Sequence, residues 1–315
     1  MFGLVAACGV TSAPAIGVES KAGKGTVASD CLHTRTASIG GGTIHIDFDP
    51  TQFTSGAGPI CRWIELAATA VSNYFGRFPV ARVNLVLRAD DKNGVHGGTT
   101  YGDADGASRI VVSVGRGIRQ DQLDGDWVLT HEMVHLAVPS VPRESHWLEE
   151  GIATYVEPIA RVQLGQLEAK RIWADMLQGM PKGLPKSGDR GLERTPTWGR
   201  TYWGGGLFCL LADVAIRERT RNRMSLRDAL RGVQDAGGSI EQDWPVDRVL
   251  GAGDKATGQS VLAELYQKMG REPGIDELDS LWRRLGVSTD GGTVKFDDSA
   301  PLAAIRRAIT APARE

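Results

Sequence analysis

The first third of the chain contains short segments in which apolar and polar residues alternate, a period of two that predicts half-buried β-strands. The clearest segment is residues 43–48, and further strands are predicted at residues 80–87 and 109–114. Between the first two segments, apolar residues recur at helical spacing over residues 59–75, which predicts a helix. Residues 94–108 are polar and rich in glycine, so we predict a loop there.

Helical spacing dominates the rest of the chain. A short strand is predicted at residues 293–297, and residues 179–199, which are rich in proline and glycine, are predicted to form a surface loop. Amphipathic helices are predicted at residues 147–156, 166–177, 202–213, 225–231, 260–269 and 275–285. The first part of the chain is predicted to contain both strands and helices, and the rest is predicted to be mainly helical. This arrangement favours an α+β fold.

The length of 315 residues exceeds one average domain and is sufficient for a substantial core. We predict three parts. Residues 1–29 form a tail and flexible tether, residues 30–142 form an N-terminal lobe with a mixed twisted sheet plus helices, and residues 143–315 form a mainly helical C-terminal lobe. A cleft between the two lobes is the expected place for a functional site.

Charge and hydropathy narrow the class of protein. The chain has 36 basic and 38 acidic residues, so nothing favours nucleic acid or an anionic membrane as a partner. Its 41% hydrophobic content is ordinary for a globular enzyme. No run of apolar residues approaches the roughly 18 that predict a transmembrane helix.

The candidate chemistry lies at His131, Glu132 and His135, which form a His-Glu-x-x-His sequence. Residues four apart lie on the same face of a helix, so both imidazoles can bind one metal ion. Glu132 then lies beside the metal without binding it. This arrangement is typical of zinc peptidases, in which the glutamate acts as base on an activated water.

A second segment, Trp147-Leu148-Glu149-Glu150-Gly151, follows after a proline-containing loop. Together the two segments resemble the gluzincin metallopeptidases, specifically their aminopeptidase N and glycyl aminopeptidase branches. The resemblance implies a thermolysin-like catalytic domain and makes Glu150, the residue before the glycine, the third zinc ligand. Fourteen residues separate His135 from Glu150, fewer than in the aminopeptidase N pattern. Glu149 and His146 remain alternative third ligands.

The same resemblance indicates a catalytic tyrosine. The family has a Tyr-x-x-Gly segment at the start of a helix, and Tyr202 with Gly205 matches it. Tyr202 would donate a hydrogen bond to the developing oxyanion, unless it is an aromatic residue that only packs in the core. Tyr155 is a weaker candidate, because it lies five residues after Glu150 and so faces away from the ligand side of its helix.

In this family an edge strand of the sheet lines the cleft and pairs with an extended substrate, and residues 97–101 are expected near that edge. These residues lack the acidic side chain with which aminopeptidase N enzymes bind a free amine. Asp103 or Asp105 could replace it, although a solvated turn is the better interpretation of this segment.

The predicted function is therefore a zinc-dependent peptidase that acts on peptides or proteins, with His131, His135 and Glu150 on the metal. The choice between exopeptidase and endopeptidase, and the oligomeric state, stay open. The alternative is an exported binding or structural protein that keeps the fold without turnover. The presence of Glu132 favours catalysis, because a scaffold that only binds metal has no need of it.

The N-terminal sequence and the cysteines indicate the cellular compartment of the protein. Val5-Ala6-Ala7-Cys8 is similar to a bacterial lipobox, although the segment before it is short and lacks basic residues. We therefore expect an exported bacterial protein, in the periplasm or anchored to the envelope by a lipid on Cys8; a cytoplasmic location is the alternative. Cys31 and Cys61 could form a disulfide in an oxidising compartment or remain reduced core thiols.

Overall fold

A five-stranded mixed sheet is the framework of the N-terminal half. The computed structural model describes residues 31, 34–103, 108–274 and 277–312. The strands of the sheet are β1 (Thr36–Ile39), β2 (Gly42–Asp47), β3 (Arg82–Asp90), β4 (Val95–Tyr101) and β5 (Ser108–Gly115). Their order is β1-β2-β3-β5-β4, with β2, β3 and β5 parallel and the two outer strands antiparallel to their neighbours. Strand β4 is therefore an edge strand.

The structure confirms the strands predicted at residues 43–48, 80–87 and 109–114, and it corrects the loop predicted at residues 94–108. Residues 95–101 form β4, which is antiparallel to β5. This strand consists mainly of glycine and threonine, so it lacks the apolar alternation that identifies a half-buried strand. Its main chain is paired by hydrogen bonds all the same. The sequence does not predict β1 either.

One long helix, α1 (Ala57–Phe75), agrees with the predicted helix. Its buried residues recur every three or four positions and include Ile60, Trp63 and Ile64. Gly76 ends the helix in a left-handed conformation with φ of 85°, which glycine adopts without steric cost. A disulfide links Cys61 in its first turn to Cys31, so the structure contains the pair that the sequence leaves open.

The other α-helices and a small hairpin follow α1 along the described part of the chain. The helices are α2 (Gln120–Asp124), α3 (Val128–His135), α4 (His146–Gln163), α5 (Ala169–Gly179), α6 (Gly205–Thr220), α7 (Leu226–Asp235), α8 (Val246–Thr257), α9 (Val261–Leu265), α10 (Leu278–Leu285) and α11 (Ala303–Thr310). Strands β6 (Val287–Asp290) and β7 (Thr293–Phe296) form the hairpin. The mixed α+β architecture is confirmed, whereas the sequence does not predict α2, α8, β6 or α11. None of the described helices is both long and apolar enough to cross a membrane.

Helix α4 lies at the centre and contacts α1, α3 and α6. It is buried on most of its surface, and its buried polar groups are bonded to neighbouring elements. Tyr155 donates a 2.9 Å hydrogen bond to Asp213 of α6, and Arg161 donates a 3.0 Å bond to the carbonyl of Asp124 at the end of α2. These bonds set the position of α4 relative to the segments before and after it.

The N-terminus of α3 is held by one buried carboxylate. Asp126 accepts hydrogen bonds from the backbone N–H groups of Val128 and Leu129, at 3.0 and 3.1 Å, and from the indole of Trp63 in α1 at 2.9 Å. Side-chain acceptors at this position satisfy N–H groups that have no partner inside the helix. Asp126 thus fixes both the start of α3 and its packing against α1.

We predict that Asp126→Ala lowers the free energy of unfolding by about 2 to 4 kcal/mol, because it leaves one buried indole and two helix N–H groups without their acceptor. Urea denaturation monitored by circular dichroism measures the change. Asp49→Ala is the matched control, since Asp49 accepts from Thr51 at the start of an exposed turn. A loss no larger than that of the control would show that Asp126 does not hold α3.

Candidate metal centre

Helix α3 presents two imidazoles on one face. His131 and His135 are one helical turn apart, and their ring centroids are 4.9 Å from each other. Both side chains are buried. Glu150 of α4 approaches from the opposite side, where its Oε2 atom lies 3.2 Å from His131 Nε2 and 3.7 Å from His135 Nε2. The structure therefore brings together the three residues that the sequence predicts as metal ligands.

The donor set fits a zinc ion. Ligand atoms of the three residues all lie within 4.8 Å of one another. Two donors about 2.1 Å from one ion in tetrahedral geometry are about 3.4 Å apart, and the two nitrogen-to-oxygen distances lie on either side of that value. Two imidazoles and one carboxylate also match the donor types of catalytic zinc sites, which leave one position open. The ligand assignment stays a prediction that metal analysis can test.

Electrostatics keep the Glu150 carboxylate ionised. Burial alone would raise its pKa, but the charge of His135 and hydrogen bonds with His131 and His146 outweigh burial and lower the pKa far below its usual range. For His131, burial would lower the pKa, and the hydrogen bond and charge of Glu150 reverse this and raise it. A divalent cation requires the ionised carboxylate together with neutral imidazoles, so its binding would displace the proton that Glu150 favours on His131.

The two alternative third ligands have other partners. Glu149 accepts a 2.7 Å hydrogen bond from the backbone N–H of Val141 through one oxygen, and its other oxygen lies 3.1 Å from His146 Nδ1. The second ring nitrogen of His146 lies 3.2 Å from Glu150 Oε1. Glu149 and His146 therefore orient Glu150 from behind, as the outer partners of metal ligands do in other proteins.

Glu132, the predicted base, lies between α3 and the edge strand. The Thr100 hydroxyl donates toward Glu132 and lies 2.7 Å from its Oε2 atom and 2.8 Å from its backbone oxygen. The backbone of Gly98 packs against the Glu132 side chain: a Cβ atom added at Gly98 would lie only 2.4 Å from Glu132 Cγ. Only glycine leaves room for this carboxylate against β4. The sequence predicts neither contact, because residues 94–108 carry no strand pattern.

Tyr202 lies in a π-helical segment, Gly199–Gly204, which continues into α6. Such widened turns are frequent at functional sites. The phenol ring stacks on His131 with centroids 6.4 Å apart, and burial followed by the charges of Glu150 and Glu132 raises the pKa of Tyr202. The phenol thus stays protonated and able to donate a hydrogen bond.

Tyr155, the weaker candidate for the catalytic tyrosine, donates its hydrogen bond to Asp213 in the core instead.

Two glycines place Tyr202 next to Glu150. A Cβ atom on Gly151 would lie 2.4 Å from backbone atoms of Gly205, and a Cβ atom on Gly205 would lie 2.3 Å from the carbonyl oxygen of Trp147. Helices α4 and α6 are therefore in backbone contact beside the predicted metal ligands. This contact explains why glycine follows Glu150.

Asp105, one of the two residues considered for binding a free amine, lies outside the described residues.

The fold has solved relatives. The chain resembles an aminopeptidase N family protein from Idiomarina loihiensis, with a TM-score of 0.50 and 14% identity over 84% of this chain and 46% of that one. It also resembles an M1 zinc metallopeptidase from Deinococcus radiodurans, with a TM-score of 0.46 and 17% identity over 75% and 51% of the two chains.

The similarity to known proteins is limited to the fold. No family model matches the sequence, and no curated protein matches it. The chain spans about half the length of the solved structures that it resembles. At such low identity the comparison shows the fold alone, which is consistent with part of the M1 peptidase fold. Metal binding and activity must therefore be argued from the residues of this chain.

We predict that Glu150→Ala lowers zinc affinity by more than the roughly 10- to 100-fold typical for loss of an outer partner of a ligand. Competition with a chromophoric chelator measures the affinity. Glu149→Ala is the matched neighbour and should fall within the smaller range, as should His146→Ala. Full zinc affinity in Glu150→Ala together with its loss in Glu149→Ala or His146→Ala would assign the third ligand to another residue.

Proposed function

We propose that the protein is a zinc-dependent peptidase in which two lobes form a thermolysin-like catalytic domain. The observation that carries the proposal is the position of Glu132. Its carboxylate lies next to the cluster of His131, His135 and Glu150 without belonging to it, and Thr100 orients it. A carboxylate placed in this way can remove a proton from a water at the site.

The residues have separate tasks in this proposal. His131, His135 and Glu150 would hold zinc, which when bound supplies Lewis acidity for water activation and for polarising the scissile carbonyl. Glu132 takes the proton of the attacking water and passes it to the leaving amine. The Tyr202 phenol donates a hydrogen bond to the oxyanion that develops on the carbonyl oxygen. Peptides or proteins are the substrates, and cleavage of N-acetylated peptides would distinguish an endopeptidase from an aminopeptidase.

A scaffold that binds metal or peptide without turnover is the second candidate. It would explain the ligand cluster equally well, but it offers no reason for a buried Glu132. Transfer of a carboxylate from water into a protein is unfavourable unless partners compensate, and the partners of Glu132 are the Thr100 hydroxyl and the nearby imidazole of His131. A site that uses the carboxylate explains why it is kept.

We predict that Glu132→Gln abolishes peptide hydrolysis while zinc is retained, because the amide cannot accept the proton and the ligands are unchanged. A mixed peptide library incubated with the zinc-loaded protein, with and without chelator, provides the measurement. Hydrolysis at the wild-type rate by zinc-loaded Glu132→Gln would rule out this mechanism.

We predict that Tyr202→Phe lowers kcat and kcat/KM together by about 100- to 1,000-fold, since it deletes one oxyanion donor and keeps the ring. Zinc content and melting temperature should stay unchanged. Tyr155→Phe is the control, because its hydroxyl is bonded to Asp213 in the core; it should lower the melting temperature and leave turnover nearly intact. The reverse pattern in Tyr202→Phe would assign Tyr202 to the core.

We also propose export from a bacterial cell, with a lipid anchor on Cys8. The sequence Val5-Ala6-Ala7-Cys8 and the pairing of Cys31 with Cys61 support the proposal, because disulfides persist mainly in oxidising compartments. Cys8 lies outside the described residues. Mass spectrometry of the native protein should find an acylated Cys8 and a single free thiol at Cys209. An unmodified Met1 with four free thiols would place the protein in the cytoplasm.

A further inference from the structure

Exposed aromatic side chains are concentrated near the metal centre. Among the residues that the structure describes, three large hydrophobic side chains are exposed: Tyr101 by 47%, Trp127 by 50% and Trp198 by 44%. Trp127 packs edge-on against the ring of His131, with centroids 5.4 Å apart. Trp198 packs against Tyr202 at 5.8 Å. We call Trp127 and Trp198 the tryptophan pair.

The two tryptophans occupy equivalent places in their elements. Trp127 stands at the start of α3, one turn before His131, and Trp198 stands at the start of the π-helical segment, one turn before Tyr202. Residues that are four positions apart lie on the same face of a helix, and their side chains tilt toward the N-terminus of that helix. Since His131 and Tyr202 stack on each other, the tryptophan pair continues a row of rings from Trp127 through His131 and Tyr202 to Trp198.

Tyr101 does not belong to this row. It follows Thr100 in β4, and successive side chains of a strand point to opposite faces of the sheet. Thr100 points to Glu132, so Tyr101 points away from it and packs under the guanidinium of Arg109 at 5.0 Å. The tryptophan pair thus combines exposure with direct contact to the residues of the site.

From this geometry we propose that the tryptophan pair forms an extended subsite, with one tryptophan at each end of the row of rings, for bulky apolar side chains, aromatic or long aliphatic, on the peptide residues beside the scissile bond. This inference rests on the proposed peptidase function. Aromatic rings offer wide apolar faces at low cost in conformational entropy, and contact with such side chains would remove exposed surface of each tryptophan from water. An exposed apolar surface that adjoins a site indicates a ligand contact.

The charge beside Trp198 distinguishes between two ligands that aromatic rings can bind. Rings attract cations as well as apolar groups. The Lys182 ammonium, however, already lies 5.9 Å from the ring centroid of Trp198 and 5.9 Å from that of Trp203. A second cation at this place would be repelled. The tryptophan pair therefore favours phenylalanine or leucine over lysine or arginine in the substrate.

Paired peptides that differ at one position test the subsite. The zinc-loaded wild-type protein should cleave peptides with phenylalanine or leucine beside the cleaved bond better than matched alanine or lysine peptides. Trp127→Ala and Trp198→Ala should each reduce that preference by about 10-fold, mainly through a higher KM for the phenylalanine and leucine peptides. Tyr101→Ala, the exposed aromatic control on the other face, should keep the preference.

Zinc content and melting temperature are measured on each variant, because Trp127 touches His131. If Trp127→Ala fails to load zinc, Trp127→Phe and Trp198→Ala decide the matter, since the first keeps a ring against His131 and the second lies on another element. Peptide affinity is also measured with the Glu132→Gln protein, by quenching of tryptophan fluorescence. Phenylalanine peptides should bind about 10-fold more tightly than alanine peptides, and Trp127→Ala in that background should remove the difference.

The outcomes separate the two proposals. Cleavage without preference for bulky apolar residues, or a preference retained in both alanine variants, overturns the subsite and leaves the peptidase in place. Selective binding of phenylalanine peptides with no hydrolysis of any peptide overturns the peptidase and leaves the subsite as a binding surface. A preference for lysine or arginine peptides also overturns the subsite as proposed.

Discussion

Backbone contact between α4 and α6 is the constraint on which the site depends. Gly151 and Gly205 leave no room for a side chain between the two helices. Because Glu150 precedes Gly151 and Tyr202 lies three residues before Gly205, this one contact determines how close the phenol comes to the carboxylate. A side chain at either glycine would push the helices apart, and the separation between Tyr202 and Glu150 would grow with it.

Buried polar bonds hold the same central helix from its other sides. Arg161 ties α4 to the end of α2 and pairs with Glu157 at 2.9 Å, while Asp213 of α6 accepts from Tyr155, from Arg217 and from the backbone N–H of Leu226. Breaking a buried pair of this kind leaves an uncompensated charge in the interior and is strongly destabilising. The helix that carries Glu150 is therefore fixed toward both α2 and α6, and small rotations that would move its carboxylate are opposed.

The sequence predicts the helical part of the site well and the strand part poorly. His131 and His135 can be placed because helix periodicity puts residues four apart on one face, whereas Glu150 is implied only by the resemblance of its Trp-Leu-x-Glu-Gly segment to the gluzincin pattern. The contacts of Glu132 with Gly98 and Thr100 could not be predicted, since they join residues more than thirty positions apart across an edge strand without apolar alternation. Spacing does contain one further signal, the tryptophan four residues before His131 and again before Tyr202, but burial is needed to tell an exposed ring from a core ring.

The surroundings of Glu132 bear most directly on whether the fold is used for catalysis. The side chain is 7% exposed, and Thr100 and Gly98 lie against its carboxylate and its methylene groups respectively. Nothing in helix formation requires an acid at this place, because glutamine has the same length and a similar helix propensity. A neutral amide could also accept from Thr100 without the free-energy cost of burying a charge. In the proposed peptidase an acid is needed here because it takes a proton from water, whereas a scaffold would be served equally by glutamine.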